Sequence, residues 1–350
     1  MRLTSVPCGL TESIALAAGL LPTPLMDTLV ALLLAKTVIT ATAIGIFDVL
    51  NNGPLTPFQI AARCESDPKA TTKLVRALVA CKYLKYRGHR LDLSAVSRRW
   101  LAGNRANSLR SAILHRKLDL RFMNFEEYVL RGKIPDFHAN LTREDWQLYH
   151  EGQADQAAQL VEEVLKRIPL PSHARELLDL GGGHGLYSDA FCRRYPGLRA
   201  RVIDLATRTG EPNTKRESLS LSPQVEFEVG DIRTRNFGSD CCDVILLANV
   251  LHHFDETTNH SLMRRAANAL RPDGIAIVVD IVRPSSPEQT GQIEALLDLY
   301  FGAASGAGLW MVNDIQRWAR NAGLSMLCCK ATRWMPSCKM MVARKFGPVS

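Results

Sequence analysis

The run "LLDLGGGHGLYSDAF", Leu177 to Phe191, constrains the fold more than any other stretch of the chain. An apolar segment, Glu176 to Leu180, reads as a strand; it ends on consecutive glycines and gives way to an amphipathic segment. Glycine has no Cβ, so a ligand can lie against the backbone of such a turn, where the following helix presents its N-terminus. Downstream of Pro169–His173, which reads as a linker, short apolar runs alternate with amphipathic ones in the βαβ manner. The candidate strands are Glu176–Leu180, Ala200–Asp204, Val225–Val229, Asp243–Ala248 and Ile275–Val282. Met326–Lys330 and Lys339–Arg344 follow a helix over Asp314–Asn321 and are close enough in sequence to form an antiparallel pair.

Length then matters, because 350 residues exceed what this one sheet requires and suggest about two domains. Ala41 to Leu101 reads as helix, turn, helix and hairpin: Thr56 caps a helix through Cys64, Asp67-Pro68 opens the next, and Arg87-Gly88-His89 turns between two short strands. This is a winged-helix pattern. Lys69, Lys73 and Arg76 could meet phosphates there, but Leu74, Leu78 and Val79 give the same helix an ordinary packing face. A net charge of +8 spread over the whole chain is too mild to argue for nucleic acid. Ser108–Ile168 reads as helical, broken at Gly132–Pro135 and rich in aromatics.

Upstream, "SIALAAGLLPTPLMDTLVALLLAKTVITATAIGIF" is interrupted by Pro22, Pro24, Asp27 and Lys36, so no uncharged run approaches the roughly 18 residues of a membrane span. No basic region and cleavage pattern of a signal peptide stands out. The expectation is one or two apolar helices that bury themselves within the chain or against a second copy. Nine cysteines without a CxxC pair or zinc-finger spacing fit a reduced, cytoplasmic compartment.

Strand-end acids narrow the ligand. Asp204 lies where a dinucleotide site or an S-adenosylmethionine (SAM) site keeps an acid for ribose. Asp179 precedes the glycines inside the strand, where a dinucleotide fold usually keeps an apolar residue, and a carboxylate there suits a cationic amino-acid group. Asp231 in "VGDIR" is suited to an adenine amino group, and the terminal antiparallel strand completes a layout that favours SAM.

From about Ala35 onward the chain resembles the small-molecule O-methyltransferases that carry an N-terminal winged-helix dimerisation domain. The motifs are "LDLGGGHG", "VIDL", "GDI", "ANVLHHFDE" and "LRPDGIAIVVDIVRP". The resemblance implies an α/β, Rossmann-like class I methyltransferase domain with a seven-stranded sheet and an antiparallel last strand. The expected division is 1–107 for the helical and winged-helix dimerisation domain, 108–170 for a helical linker contributing to the substrate pocket, and 171–350 for the SAM-binding domain. The implied cofactor contacts are Asp179, Gly181, Gly183, Asp204, Asp231, Ile232 and Asn249. A small-molecule acceptor and a homodimer are implied, without nucleic acid or membrane.

In the same resemblance His252 takes the place of the general base, and Asp280 that of the carboxylate that orients it. A histidine can take the proton an acceptor hydroxyl loses as its oxygen meets the methyl group. His253 and Phe254 stand where the family has an acid and a tryptophan. A second supporting glutamate is replaced by Leu309, which keeps C-, N- and S-methylation open beside O-methylation. A SAM-binding regulator and a relative that uses the cofactor for hydroxylation or decarboxylation are further alternatives. A metal on His252, His253 and His260 is not adopted, because adjacent histidines point different ways on most backbones. Phe122, Trp146, Tyr149, Tyr300 and Trp310 are the expected substrate-lining residues, on which a lean toward an aromatic or similarly flat acceptor rests.

Overall fold

The computed structural model of the chain describes residues 4–103, 108–134, 140–205, 220–333 and 335–346. The chain divides into two compact units, Met1–Asp119 and Leu120–Ser350, and the division falls inside the helix Arg110–Phe122.

In the first unit the expected helix starts are set by local chemistry. Thr56 and Gln59 form a reciprocal capping box ahead of Pro57–Arg63, and Asp67 accepts from the Ala70 N–H at 2.7 Å ahead of Pro68–Ala80. Strands β1 (Leu84–Arg87) and β2 (Arg90–Leu93) pair antiparallel across Gly88, whose φ of +62° suits glycine. Phe47, Leu50, Ile60, Leu78, Leu84 and Leu91 fill the core between helices and hairpin. Lys69, Lys73 and Arg76 lie on the exposed face of their helix.

The N-terminal apolar segment departs from expectation. A helix runs unbroken over Thr23–Ala43, with a π turn at Met26–Val30, and by length and composition alone it is apolar enough to cross a membrane. The prolines do not interrupt it, because Pro22 caps it and Pro24 sits in its first turn, where no intrahelical N–H is lost. Leu25, Leu29, Leu32 and Leu33 remain exposed along one stripe.

The second unit is built on β3 (Glu176–Leu180), β4 (Arg199–Asp204), β5 (Val225–Val229), β6 (Cys242–Ala248), β7 (Leu270–Arg283), β8 (Trp310–Met311), β9 (Leu324–Ala331) and β10 (Cys338–Lys345). Their order is β5-β4-β3-β6-β7-β10-β9, with β10 antiparallel to both neighbours. Beyond the expected seven strands, two-residue β8 pairs parallel with β7 at Val282 and Arg283. β7 also begins earlier than expected, at Leu270, because Leu270 pairs with Cys242 before an irregularity at Cys242/Val244 restores the regular register. Alternation along the strands loads two cores: Leu178, Ile245 and Val278 face one side, Leu177, Val244 and Ile277 the other. A one-residue slip would exchange these faces, so register is firmly set.

Of the segment expected to be helical, Arg110–Phe122, Phe125–Arg131 and Arg143–Arg167 are helices; 135–139, including Pro135, lie outside the described residues. Gly132 ends the second helix with a left-handed φ of +63°.

Candidate active site

The glycine loop joins β3 to the helix Leu186–Arg194 at the edge where the parallel strands end. Gly181 has φ +75°, and a Cβ there would come within 2.9 Å of Val250 Cγ2. The backbone thus passes with no room for a side chain. Its N–H donates to the Ile203 carbonyl at 2.8 Å, which leaves the Gly181 carbonyl as the group to offer a ligand. Gly183 donates to Asp204 Oδ2 at 2.6 Å, and Leu205 N–H to Oδ1 at 2.7 Å, so Asp204 ties the loop to the end of β4. Gln153, on the long helix Arg143–Arg167, places Oε1 3.4 Å from where a Cβ on Gly183 would be.

Asp179 lies beneath Gly182, only 1% exposed. Ser188 Oγ donates to Oδ2 at 2.7 Å, whereas Oδ1 is buried with no hydrogen-bond partner among the described residues. Burial, reinforced by the Asp204 charge, pushes this carboxyl up to about 7 against the opposing Ser188 bond. Asp231 differs: Arg233 grips both its oxygens, with Nε at 3.0 Å from each and Nη2 2.7 Å from Oδ2. That hydrogen-bonded guanidinium holds the Asp231 carboxyl below the usual range. Ile232 is buried beside Gly181, and Asn249 takes a left-handed φ of +56° while donating to the Val279 carbonyl at 2.8 Å.

Beyond β6 a short 3-10 turn, Leu251–His253, carries the two histidines. His252 is 3% exposed, and its Nδ1 lies 2.6 Å from Asp280 Oδ1. Asp280 also accepts from the backbone N–H groups of Ile281 at 2.8 Å and Leu251 at 3.0 Å. A carboxylate surrounded by donors acts as an acceptor, so the Nδ1 contact places the imidazole proton on Nδ1 and leaves the lone pair on Nε2. Phe301 packs over the imidazole with ring centroids 3.9 Å apart. The His253 ring is 4.4 Å from that of His252 and meets the same phenylalanine edge-on.

The expected substrate-lining residues separate into groups. Tyr300 adjoins Phe301, the residue packed on His252, with ring centroids 5.1 Å apart. Trp146 and Tyr149 form an aromatic cluster on Arg143–Arg167, rings 5.7 Å apart, while Phe122 lies under the Arg121 guanidinium. The Trp310 indole N–H donates to the carbonyls of Leu251 (3.0 Å) and Phe254 (3.2 Å), and its ring packs on Trp318. Its polar edge therefore faces the backbone of the turn that carries His252 and His253. Sequence reasoning missed Gln153 and Phe301; the signal for the latter was its adjacency to Tyr300, without which face of the helix turns inward.

Residues 108–325 match the O-methyltransferase domain family, and residues 26–103 match the O-methyltransferase dimerisation domain. The chain belongs to the O-methyltransferase family. It is a SAM-dependent methyltransferase. It is similar to the mitomycin biosynthesis 6-O-methyltransferase of Streptomyces lavendulae, 24% identical over 77% of this chain and 80% of that protein. It is equally similar to aclacinomycin 10-hydroxylase RdmB of Streptomyces purpurascens, 25% identical over 82% of this chain and 80% of that one. In fold it resembles human N-acetylserotonin methyltransferase crystallised with SAM, TM-score 0.82 at 18% identity, covering 98% of this chain and 100% of the other.

The enzyme's residues fit that cofactor. The glycine cradle admits a ligand against the backbone, and the unpartnered Asp179 Oδ1 is an acceptor suited to an ammonium group.

Proposed function

We propose that the enzyme methylates a hydroxyl of an aromatic or similarly flat small molecule, with His252 as general base and Asp280 as the group that orients it. The observation that carries this reading is the buried 2.6 Å contact between His252 Nδ1 and Asp280 Oδ1, which leaves Nε2 to accept a proton. SAM, when bound, supplies a methyl group on a sulfonium that leaves readily as a neutral thioether. The residues must bring the acceptor oxygen into line and take its proton. His252 Nε2 receives that proton, and Asp280 stabilises the resulting imidazolium. Asp179, Gly181, Gly183 and Asp204 hold the amino-acid and ribose parts of the cofactor, while Asp231, Ile232 and Asn249 border the adenine. The helical segment 108–170 lends Phe122, Trp146 and Tyr149 to the acceptor pocket beside Tyr300.

The homodimer belongs to the same proposal. The stripe Leu25, Leu29, Leu32 and Leu33 lies largely within the dimerisation match, and a second copy is its natural cover. Leu29→Glu combined with Leu33→Glu is expected to halve the mass measured by light scattering; an unchanged mass removes this face from the dimer. A cytoplasmic setting agrees with nine free cysteines.

The test is incubation with methyl-labelled SAM and a panel of phenols and hydroxynaphthoates, read by mass spectrometry. Label bound through an aryl ether is the expected product. Label on carbon, nitrogen or sulfur would move the chemistry to the alternatives that Leu309 keeps open. The likeness to a protein named as a hydroxylase gives a second reading, and an unlabelled product with an added oxygen would select it.

A further inference from the structure

Where the family resemblance leads one to expect a second acid beside the histidine, this chain has Leu309, an apolar side chain 3% exposed. One hydrogen bond from Nδ1 to Asp280 fixes the ring's distance but allows rotation about the bond axis and tilt of the turn that carries it. Something else must hold the imidazole for Nε2 to keep one direction.

We propose that the helix Gln292–Ser305 and the segment Gly306–Trp310 form a bracket that positions His252 in place of the missing carboxylate, with Phe301, Trp310 and Asp298 as its positioning residues. This rests on the reading of His252 as the base. Phe301 restrains the ring plane, with centroids 3.9 Å apart and planes inclined by 34°. The backbone of the turn is held by three donors. Gly308 N–H reaches the His252 carbonyl at 3.3 Å, and the Trp310 indole reaches those of Leu251 and Phe254. From the opposite side buried Asn259 donates to the same two carbonyls at 2.9 and 3.0 Å, so the turn is gripped between a helix and the bracket.

Asp298 closes the bracket. It lies three residues before Phe301 on the helix, and its Oδ1 accepts from the Leu309 N–H at 2.6 Å. Gly308, with φ +151°, fits because a Cβ there would sit 2.5 Å from that oxygen. Arg283 Nε donates to the Leu309 carbonyl at 2.9 Å, which anchors the segment to the end of β7, three residues beyond Asp280. One helix thus carries both the ring restraint and the latch for the backbone restraint.

The experiment compares the full-length variants Phe301→Leu, Trp310→Phe, Asp298→Ala and Asp298→Asn. Phe301→Leu keeps apolar bulk without a flat face; Trp310→Phe removes the donor and part of the ring while keeping an aromatic face toward Trp318. With an aryl hydroxyl from the panel as acceptor, the first three are expected to lower kcat roughly tenfold to hundredfold while SAM Kd and acceptor KM stay within about twofold. Asp298→Asn, which keeps an acceptor oxygen for the Leu309 N–H, is expected to recover most of the turnover lost in Asp298→Ala. In protein labelled with nitrogen-15 histidine, the Nδ1 proton signal that disappears in Asp280→Ala should broaden in Phe301→Leu and Trp310→Phe. Unchanged kcat with an unchanged signal overturns the bracket, as does a parallel loss of SAM affinity, which would make the segment a general support of the fold. The two proposals fail differently: retained turnover in His252→Ala removes the base, whereas loss there with full turnover in the bracket variants removes the bracket alone.

Discussion

Asp179 and Asp280 are both 1% exposed at the same edge of the sheet, yet their surroundings are opposite. Asp280 is surrounded by three donors of its own protein, two backbone N–H groups and His252 Nδ1. Asp179 has the Ser188 hydroxyl on one oxygen and, among the described residues, no partner on the other. A buried acceptor without a donor costs stability, so its retention at a ligand edge points to a partner that arrives from outside. One carboxyl group is satisfied within the protein, and the other keeps an oxygen without a donor among the described residues.

The sharpest way to break this contrast is to remove each carboxylate. Asp280→Ala leaves a buried imidazole and two backbone N–H groups, one buried and one partly buried, without their acceptor, and is expected to cost roughly 3 kcal/mol of stability and about a thousandfold in turnover. Denaturant melts and methyl-transfer rates check both, and a stable, active variant would contradict the structural role.

Asp179→Asn should do the reverse to the free protein. Its folded-state carboxyl is raised from 3.8 to about 7, so the native state holds a proton that the unfolded chain gives up above about pH 4. Stability from this group is complete below pH 4 and is lost as pH rises through 7, by roughly 4 kcal/mol at most. The isosteric amide escapes that loss. Cofactor-free Asp179→Asn is therefore expected to melt higher than wild type at pH 8 and alike at pH 4, while binding SAM more weakly. A lower melting point at pH 8 would show that the charged form is satisfied after all.

Gly181→Ala sharpens the geometry of the cradle: with φ +75° and Val250 Cγ2 2.9 Å away, it should cost about 1 to 2 kcal/mol and most of the SAM affinity. The smallest effect belongs to Asp231, whose partner is more than half exposed. Arg233→Ala should change stability by no more than about 0.5 kcal/mol, because solvent screens the pair.

The contrast also explains what sequence alone could reveal. Asp179, Asp204 and Asp231 were legible because each sits at or just past a strand end, and strand, glycine and acid are neighbours in the chain. His252 and Asp280 were legible through motif resemblance. The bracket was not, because Phe301 and Gly308 reach the histidine, and Asp298 reaches Leu309, only through tertiary packing. On a helix Tyr300 and Phe301 point about 100° apart, and nothing local chooses which one turns inward. Where the Trp310 N–H is used was not legible either, because an isolated tryptophan gives no sign of its partner. The prolines near the N-terminus misled for a positional reason, since Pro24 in a first turn starts a helix and one turn later would break it.

If His252 takes the proton from an acceptor hydroxyl, single-turnover methyl transfer must slow in His252→Ala. With SAM prebound and an aryl hydroxyl acceptor in excess, the expected rate is lower by roughly 100-fold to 10,000-fold, with a SAM Kd within about twofold of wild type. A variant that transfers the methyl group at most of the wild-type rate would contradict it.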